Sequence, residues 1–178
     1  GILTQYNPHS LMRHIKSGEA WDFHGRSRSV KILPPSTGQR PSDWYKGTAD
    51  AVAQNLSFAE RLGVKNVLVL SGDHIYRMDY AAMLEFHAQR NAVATVACME
   101  VGLEEARGFG VMSVNNEQRI LDFEEKPDEP RSLPDNPQCA LASMGIYVFN
   151  TRFLFEQLIK DADNIQSSHD FGHDIIPA

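Results

Sequence analysis

Cysteine is scarce in this sequence. Only Cys98 and Cys139 occur among 178 residues, which excludes the disulfide framework that stabilises many small secreted domains. Cys98 lies in an apolar run, and we expect it to be a reduced core residue. The sequence also has no signal-peptide pattern and no apolar run long enough to span a bilayer. We therefore expect a cytoplasmic protein with no membrane partner.

An excess of positive charge is also lacking. The net charge is −6, from 17 Lys and Arg against 23 Asp and Glu. This acidic balance argues against a nucleic-acid partner, although local basic patches can still hold phosphates. Hydrophobic residues make up 42% and charged residues 22% of the chain, as in ordinary globular proteins. The length predicts one domain with a substantial core.

Internal repeats, low-complexity tracts, a G-x-G-x-x-G motif and a Walker loop are all absent from the sequence. Apolar, strand-like runs at residues 67–70, 93–101, 111–114, 120–125 and 141–149 instead alternate with helix-like segments. Two of these segments cover residues 48–62 and 79–90, the second of which opens at Asp79, and Asn150 is expected to cap a further helix. Such alternation predicts an α/β fold with a Rossmann-like, doubly wound, mostly parallel sheet. Residues 111–125 hold an Asn-Asn turn between two strand-like runs. They predict an antiparallel hairpin inserted into that sheet.

The most informative stretch is VKNVLVLSGDHIYRMD, residues 64–79. Its apolar run reads as a strand buried on both faces, and a Ser-Gly turn follows it. This order would deliver Asp73 to the carboxyl edge of a sheet, where open α/β folds bind ligands. A carboxylate there is well placed to hold a divalent metal bound to phosphates. A simple Gly-Asp turn, in which Asp73 only caps nearby backbone, explains the pattern equally well.

Lys126 is a second candidate, because it follows a strand-like run and precedes Pro127, which stops further pairing. It could bind a phosphate, or it could be an exposed lysine at the edge of the sheet. Residues 19–45 show little periodicity, and a loop of that length inside a compact domain is usually functional or mobile. Its basic residues could form a solvated surface or part of an anion site; they are Arg26, Arg28, Lys31 and Arg40.

Six segments together resemble the nucleotidyltransferase domain of the glucose-1-phosphate adenylyltransferases, also called ADP-glucose pyrophosphorylases. Each segment is modest by itself, but their shared order is highly specific and covers nearly the whole chain. The segments are WYKGTADAV (44–52), LSGDHIYRMDY (70–80), GFGVM (108–112), FEEKP (123–127), ASMGIYVF (142–149) and SSHDFG (167–172).

The resemblance implies a reaction between ATP and glucose 1-phosphate that gives ADP-glucose and pyrophosphate, for glycogen or starch synthesis, with Mg²⁺ as cofactor. It implies that Asp73 binds the metal and that Asp73 and Lys126 are catalytic. It further implies an allosterically regulated homotetramer. The positions that match the family's glucose 1-phosphate site are Tyr45, Gly110, Glu125, Lys126 and Ser143. Gln5 and Trp44 match positions that link regulatory and substrate sites, and Arg61 resembles a position in the nucleotide effector site.

The resemblance also predicts that residues 1–178 are a partial nucleotidyltransferase domain. The family's Gly-rich phosphate loop would lie before Gly1. A second metal-binding aspartate and a left-handed β-helix domain would lie after Ala178. We therefore expect the fragment to be inactive by itself.

Three alternatives stay open. A related sugar nucleotidyltransferase could use UTP or dTTP, although WYKGTADAV and SSHDFG favour the adenylyl enzyme. A metal-dependent glycosyltransferase has a similar sheet but usually carries a D-x-D pair, whereas Asp73 is followed by His74 and Ile75. A non-catalytic regulatory subunit or binding domain of the same family is the third alternative, and the presence of Asp73 and Lys126 argues against it.

Overall fold

A computed structural model describes residues 1–23, 25, 28–35 and 44–178; Arg26 and Arg40 of the basic stretch lie outside these residues. The strands are β1 Ile2–Leu3, β2 Ile32–Leu33, β3 Asn66–Val69, β4 Ala94–Gly102, β5 Gly110–Val114, β6 Ile120–Glu125 and β7 Cys139–Asn150. The α-helices are α1 His9–Ile15, α2 Thr48–Ala53, α3 Leu56–Leu62, α4 Tyr80–Gln89, α5 Leu103–Ala106 and α6 Thr151–Ala162. A short 3-10 turn spans Glu19–Trp21, and a π-helical turn spans Phe171–Ile175. Among the described residues, no helix has the length and apolar character needed to cross a membrane.

Strand β7 is the centre of a five-stranded sheet. Leu68 of β3 and Thr95 of β4 both pair with Val148, so β3 and β4 flank β7 and run in the same direction. Strand β5 pairs with β7 nearer its start, at Val111 and Ala142, and β6 pairs with β5. A separate two-stranded sheet joins β1 and β2 in parallel.

The predicted α/β fold is confirmed, with one parallel and one antiparallel sheet. The hairpin expected at residues 111–125 is present as the antiparallel pair β5 and β6. The sequence did not reveal that β7 runs opposite to its neighbours, so that the pairings of the larger sheet are antiparallel. An apolar run reports burial but not strand direction, which depends on how the strands are connected.

Alternate side chains of β7 pack into cores on opposite faces of the sheet. Phe149 packs with Leu154 and Leu158 of α6, whereas Val148 packs with Met83 of α4. Because successive strand residues point to opposite faces, helices cover both sides of the sheet. This is the layering expected of a doubly wound fold.

Three local expectations need correction. Cys98 is exposed and free, because a register shift between Val96 and Cys98 changes which side chains face the core. The apolar residues of β3 are half-buried and not fully enclosed. The helix expected over residues 48–62 is divided into α2 and α3, since Asn55 Nδ2 donates to the Ala51 carbonyl at 2.9 Å and competes with the regular helix.

Candidate active site

Asp73 lies in the loop after β3, at the carboxyl end of that strand, as the sequence predicts. Its carboxylate is exposed and accepts a hydrogen bond from Ser71 Oγ. This bond stabilises the ionised form and lowers the pKa of Asp73. At neutral pH, Asp73 therefore presents a full negative charge to solvent.

The loop after β3 lies against a bend in β7. His74 Nδ1 is 3.3 Å from the Met144 carbonyl oxygen, and a Cβ added at Gly145 would come within 3.9 Å of Ser71 Cβ. Gly145 has a φ of +68°, which glycine adopts without strain. Its N–H donates to Ser143 Oγ at 3.2 Å. The bend therefore places Met144 and Gly145 against the loop after β3, and Ser143 precedes them directly in the chain.

Glu125 and Lys126 stand together at the end of β6. Lys126 has a φ of +49°, and its N–H donates to the Phe109 carbonyl at 3.0 Å. Lys126 Nζ is 3.7 Å from Glu125 Oε1, and the two side chains are 66% and 22% exposed. The ammonium group thus reaches solvent while the carboxylate is largely enclosed.

Two glycines leave room for the Glu125 carboxylate. A Cβ added at Gly110 would lie 2.8 Å from Glu125 Oε2, and a Cβ added at Gly172 would lie 2.5 Å from the same atom. Burial raises the pKa of Glu125, and the charge of Lys126 opposes that rise. In this structure the close neighbour of Gly110 is therefore protein, and its expected contact with a sugar stays a prediction.

Three side chains that sequence reasoning missed surround Glu125. The charge of Asp170 raises the pKa of Glu125 and that of His173 lowers it. Burial raises the pKa of Tyr147, and its hydrogen bond with Ser143 opposes the rise. Tyr147 therefore stays protonated at neutral pH and can donate a hydrogen bond.

The enclosed cluster is defined as Glu125, Ser143, Tyr147 and Asp170. Asp170 belongs to SSHDFG, one of the segments that carry the resemblance, although none of the site positions implied by the resemblance lies in it. Tyr147 lies in the predicted strand, where a tyrosine reads as core. The motif was thus the signal for Asp170, whereas the composition of the strand held no comparable signal for Tyr147.

The start of α2 is fastened to the enclosed cluster. Thr48 Oγ1 donates to Asp170 Oδ2 at 2.8 Å and accepts from the Phe171 N–H at 3.0 Å. Buried Asp50 accepts from the Lys46 N–H at 2.9 Å. The two Thr48 bonds join WYKGTADAV to SSHDFG, although Thr48 and Asp170 are 122 residues apart in sequence.

Tyr45, Gln5 and Trp44 form a second group, beside β1 and β2. The Tyr45 N–H donates to Gln5 Oε1 at 2.8 Å, and the Tyr45 hydroxyl donates to the Leu33 carbonyl at 3.0 Å. Burial raises the pKa of that hydroxyl. The Trp44 ring stacks on Tyr6 with centroids 4.7 Å apart. Two predicted regulatory positions are therefore in contact with, or adjacent to, a predicted substrate residue.

Arg61 stands apart from the other predicted site residues. It is exposed in the last turn of α3, where a cation suits the helix dipole. Helix α3 carries none of the other predicted positions, so a role for Arg61 in an effector site stays a prediction.

A metal site can be tested against the donors that are present. The described residues contain no group of three or more His, Cys, Asp or Glu side chains that could hold a metal ion. Asp73 nevertheless offers one exposed, ionised oxygen donor. Mg²⁺ is commonly bound by one or two carboxylates together with substrate phosphates and water. The donor therefore fits a cation that is bound jointly with a phosphate-bearing substrate.

A sheet covered by helices on both faces, with the Asp73 carboxylate after β3 and the Glu125–Lys126 pair at the end of β6, fits a domain that binds phosphate esters. The chain belongs to the nucleotidyl transferase family, whose sequence profile matches residues 1–178.

Individual curated proteins show a more specific similarity than the family does. The chain is 54% identical over 178 residues to a protein named glucose-1-phosphate adenylyltransferase from Methylobacillus flagellatus, covering 99% of this chain and 41% of the relative. Proteins of the same name from Shewanella frigidimarina and Thermotoga maritima are 55% and 52% identical over 100% and 99% of this chain. The chain covers 42% and 40% of these two relatives. It thus spans about two fifths of the length of the relatives that it matches.

Proposed function

We propose that the protein carrying this chain transfers the adenylyl group of ATP to glucose 1-phosphate, giving ADP-glucose and pyrophosphate. The observation that carries the proposal is the position of the exposed Asp73 carboxylate. Asp73 lies in the loop after β3, and this loop packs against the bend at Met144 and Gly145, next to Ser143 of the enclosed cluster. Similarity over 99% of the chain to proteins named for this activity supports ATP and glucose 1-phosphate as the substrates.

In the proposed reaction, a phosphate oxygen of glucose 1-phosphate attacks the α-phosphorus of ATP. The new P–O bond forms as the bond to pyrophosphate breaks, so pyrophosphate leaves with the negative charge. Such transfers depend on alignment and charge stabilisation more than on covalent work by the protein. Asp73 would hold Mg²⁺, which when bound neutralises charge on the transferring phosphate.

The sugar phosphate would bind on the side of the enclosed cluster. Lys126 has an exposed ammonium group that can pair with the phosphate. Glu125 and Ser143 can hydrogen-bond sugar hydroxyls, and the protonated Tyr147 supplies a further donor. Tyr45 and Gly110 complete the proposed site by family position, with Tyr45 linked to the cluster through the start of α2.

The regulatory part of the proposal uses the second group. Gln5 and Trp44 would connect an effector site to the substrates, and the bond from the Tyr45 N–H to Gln5 is a physical path for that connection. Arg61 would contribute to the nucleotide effector site. We further propose a homotetramer in the cytoplasm, where ATP and sugar phosphates are available for glycogen or starch synthesis.

The test is steady-state turnover of the complete protein with Mg²⁺ and glucose 1-phosphate, offered ATP, UTP or dTTP in parallel. ADP-glucose and pyrophosphate should form in equal amounts with ATP, and a chelator should stop the reaction. Faster turnover with UTP or dTTP would assign the protein to another group of sugar nucleotidyltransferases. Binding of glucose 1-phosphate without turnover of any nucleotide would favour a non-catalytic subunit.

A further inference from the structure

Asp161 and His169 form a buried pair beside the enclosed cluster. Asp161 Oδ2 and His169 Nδ1 are 2.8 Å apart, and their side chains are 9% and 7% exposed. A carboxylate can only accept, so His169 Nδ1 carries the hydrogen and donates it. Ser167 Oγ donates to Asp161 Oδ1 at 2.5 Å and accepts from the His169 N–H at 2.9 Å. Ser167 therefore closes the pair into a hydrogen-bonded ring.

The backbone of His169 is in an unusual conformation. Its φ is +57°, a left-handed value that non-glycine residues seldom adopt. Such a conformation persists only where surrounding contacts over-determine it. The bonds from Asp161 and Ser167 hold the side chain and the N–H of the same residue, so they provide that restraint.

The carbonyl oxygen of His169 holds the segment around this residue against the start of α2. It accepts from the N–H groups of Ala49 at 2.8 Å and Asp50 at 3.3 Å. The backbones approach so closely that a Cβ added at Gly47 would lie 2.3 Å from this oxygen. A larger residue than glycine at position 47 would push the two segments apart.

This fastening sets the position of the next residues. Asp170 Oδ2 accepts from Thr48 Oγ1, and its Oδ1 accepts from the Gly172 N–H at 2.9 Å. Gly172 in turn lies directly against the Glu125 carboxylate. A continuous set of contacts thus runs from the buried His169 to the part of the enclosed cluster that would face a sugar.

We propose that Asp161 and His169 are positioning residues that set the Asp170–Gly172 turn against Glu125 and so shape the sugar-phosphate site. The inference rests on the proposed function for the identity of that ligand. Both side chains are buried, so the proposed role is to position the turn and not to contact the substrate. Burial of a polar pair is poor evidence for stability, since apolar residues of similar volume can stabilise equally well. A positioning role accounts for the arrangement of these bonds, because they fix the side chain, the N–H and the carbonyl of the residue that directly precedes the Asp170–Gly172 turn.

The test compares His169→Asn, Asp161→Asn and Glu156→Gln in the complete protein. Asn tolerates the left-handed conformation better than most residues but is too short to reproduce the bond to Asp161. Asp161→Asn keeps an acceptor for His169 Nδ1 and is the conservative variant. Glu156→Gln is the matched control, because Glu156 lies on the same helix as Asp161 and its bond to Arg152 is exposed.

For His169→Asn we expect the KM for glucose 1-phosphate to rise by about tenfold, because small misplacements of binding groups weaken binding strongly. The KM for ATP should change less than twofold. Asp161→Asn should keep the KM for glucose 1-phosphate close to the wild-type value. Glu156→Gln should leave both KM values unchanged. Unchanged KM values in His169→Asn, or equal rises in both KM values with a lowered Tm, would overturn the positioning role.

Failure of the proposed function would be seen separately, in the wild-type protein. If wild type uses another nucleotide, the same comparison is made with that nucleotide, and the inference stands or falls on the KM for glucose 1-phosphate. If wild type binds no glucose 1-phosphate in a calorimetric titration, the inference is overturned together with the proposed function. If His169→Asn does not fold, an unchanged sugar-phosphate KM in Asp161→Leu, which keeps no acceptor, overturns it as well.

Discussion

The enclosed cluster and the loop after β3 differ in how they are held. Tyr147 is 7% exposed, and Asp170 is bonded to Thr48 from a distant segment. In the loop, Ile75 is 99% exposed, and Asp73 is held by its neighbour Ser71. Rigid surroundings favour a site that must recognise a fixed shape, whereas an open loop can receive a cation and a nucleotide. Under the proposed function, the enclosed cluster would recognise the sugar phosphate and the loop after β3 would serve the chemistry.

The largest expected effect comes from the open loop. In the complete protein, Asp73→Asn should lower kcat by several orders of magnitude while Tm stays within about 1 °C, because the exposed carboxylate adds charge at the reaction centre but little packing. Pyrophosphate release and thermal melting measure the two quantities. Glu117→Gln, at an exposed site in the β5–β6 connection, is the control. Near-normal turnover would remove Asp73 from the mechanism.

A smaller effect is expected at Lys126, whose exposed side chain lies beside Glu125 of the enclosed cluster. Lys126→Ala should raise the KM for glucose 1-phosphate about tenfold to a hundredfold, because one charge-assisted contact is worth roughly 1.5–3 kcal/mol. The KM for ATP should change far less. Initial rates with each substrate varied in turn measure both constants, with exposed Lys160→Ala as control. Equal effects on the two KM values would contradict the assignment of Lys126 to the sugar phosphate.

The packing around Glu125 gives a third way to sharpen the comparison. Gly172→Ala would place a methyl group 2.5 Å from Glu125 Oε2, so the carboxylate must move. We expect the KM for glucose 1-phosphate to rise by about tenfold, since misplaced binding groups lose much of their effect. At Gly102 an added Cβ meets nothing within 4 Å, which makes Gly102→Ala the matched control. A normal KM in Gly172→Ala would show that the position of Glu125 does not matter.

The smallest expected effect lies outside both regions. His87 of α4 is buried, and its Nδ1 is 2.8 Å from Thr95 Oγ1 of β4. Burial lowers its pKa, so the folded state binds a proton less readily than the unfolded state does. The stability from neutral His87 is present above the unfolded pKa of about 6.5 and is lost as pH falls below it.

Thermal melting between pH 8 and pH 5 checks this linkage, and those values bracket the unfolded pKa of about 6.5. The fall in Tm on acidification should be shallower in His87→Gln than in wild type. Exposed His9→Gln should keep the wild-type slope. An equal slope in all three proteins would assign the acid sensitivity to other groups.

Local signals allowed much of the fold to be predicted. Asp79 and Asn150 were expected to begin helices, and their side chains accept from two backbone N–H groups each at the starts of α4 and α6. Strand β6 has the predicted bounds, Ile120–Glu125. Caps and strand ends depend on a few adjacent residues, so the sequence reveals them directly.

Features that depend on distant residues could not be predicted in the same way. The direction of β7 follows from its partners, and the exposure of Cys98 follows from a register shift against that strand. Asp170 acts on Glu125, 45 positions away by residue number, because the chain returns to the sheet after α6. The location of Asp73 after β3 was predictable, but its environment depends on the bend at Gly145.

The most direct test of the separation between recognition and chemistry is a calorimetric titration of glucose 1-phosphate into the complete protein carrying Asp73→Asn. If the enclosed cluster recognises the sugar phosphate and Asp73 serves the chemistry, the Kd should match that of wild type within about twofold, a difference worth less than 1 kcal/mol, although turnover is lost. A Kd weakened as strongly as turnover would contradict the account, because it would place Asp73 in the recognition of the sugar phosphate itself.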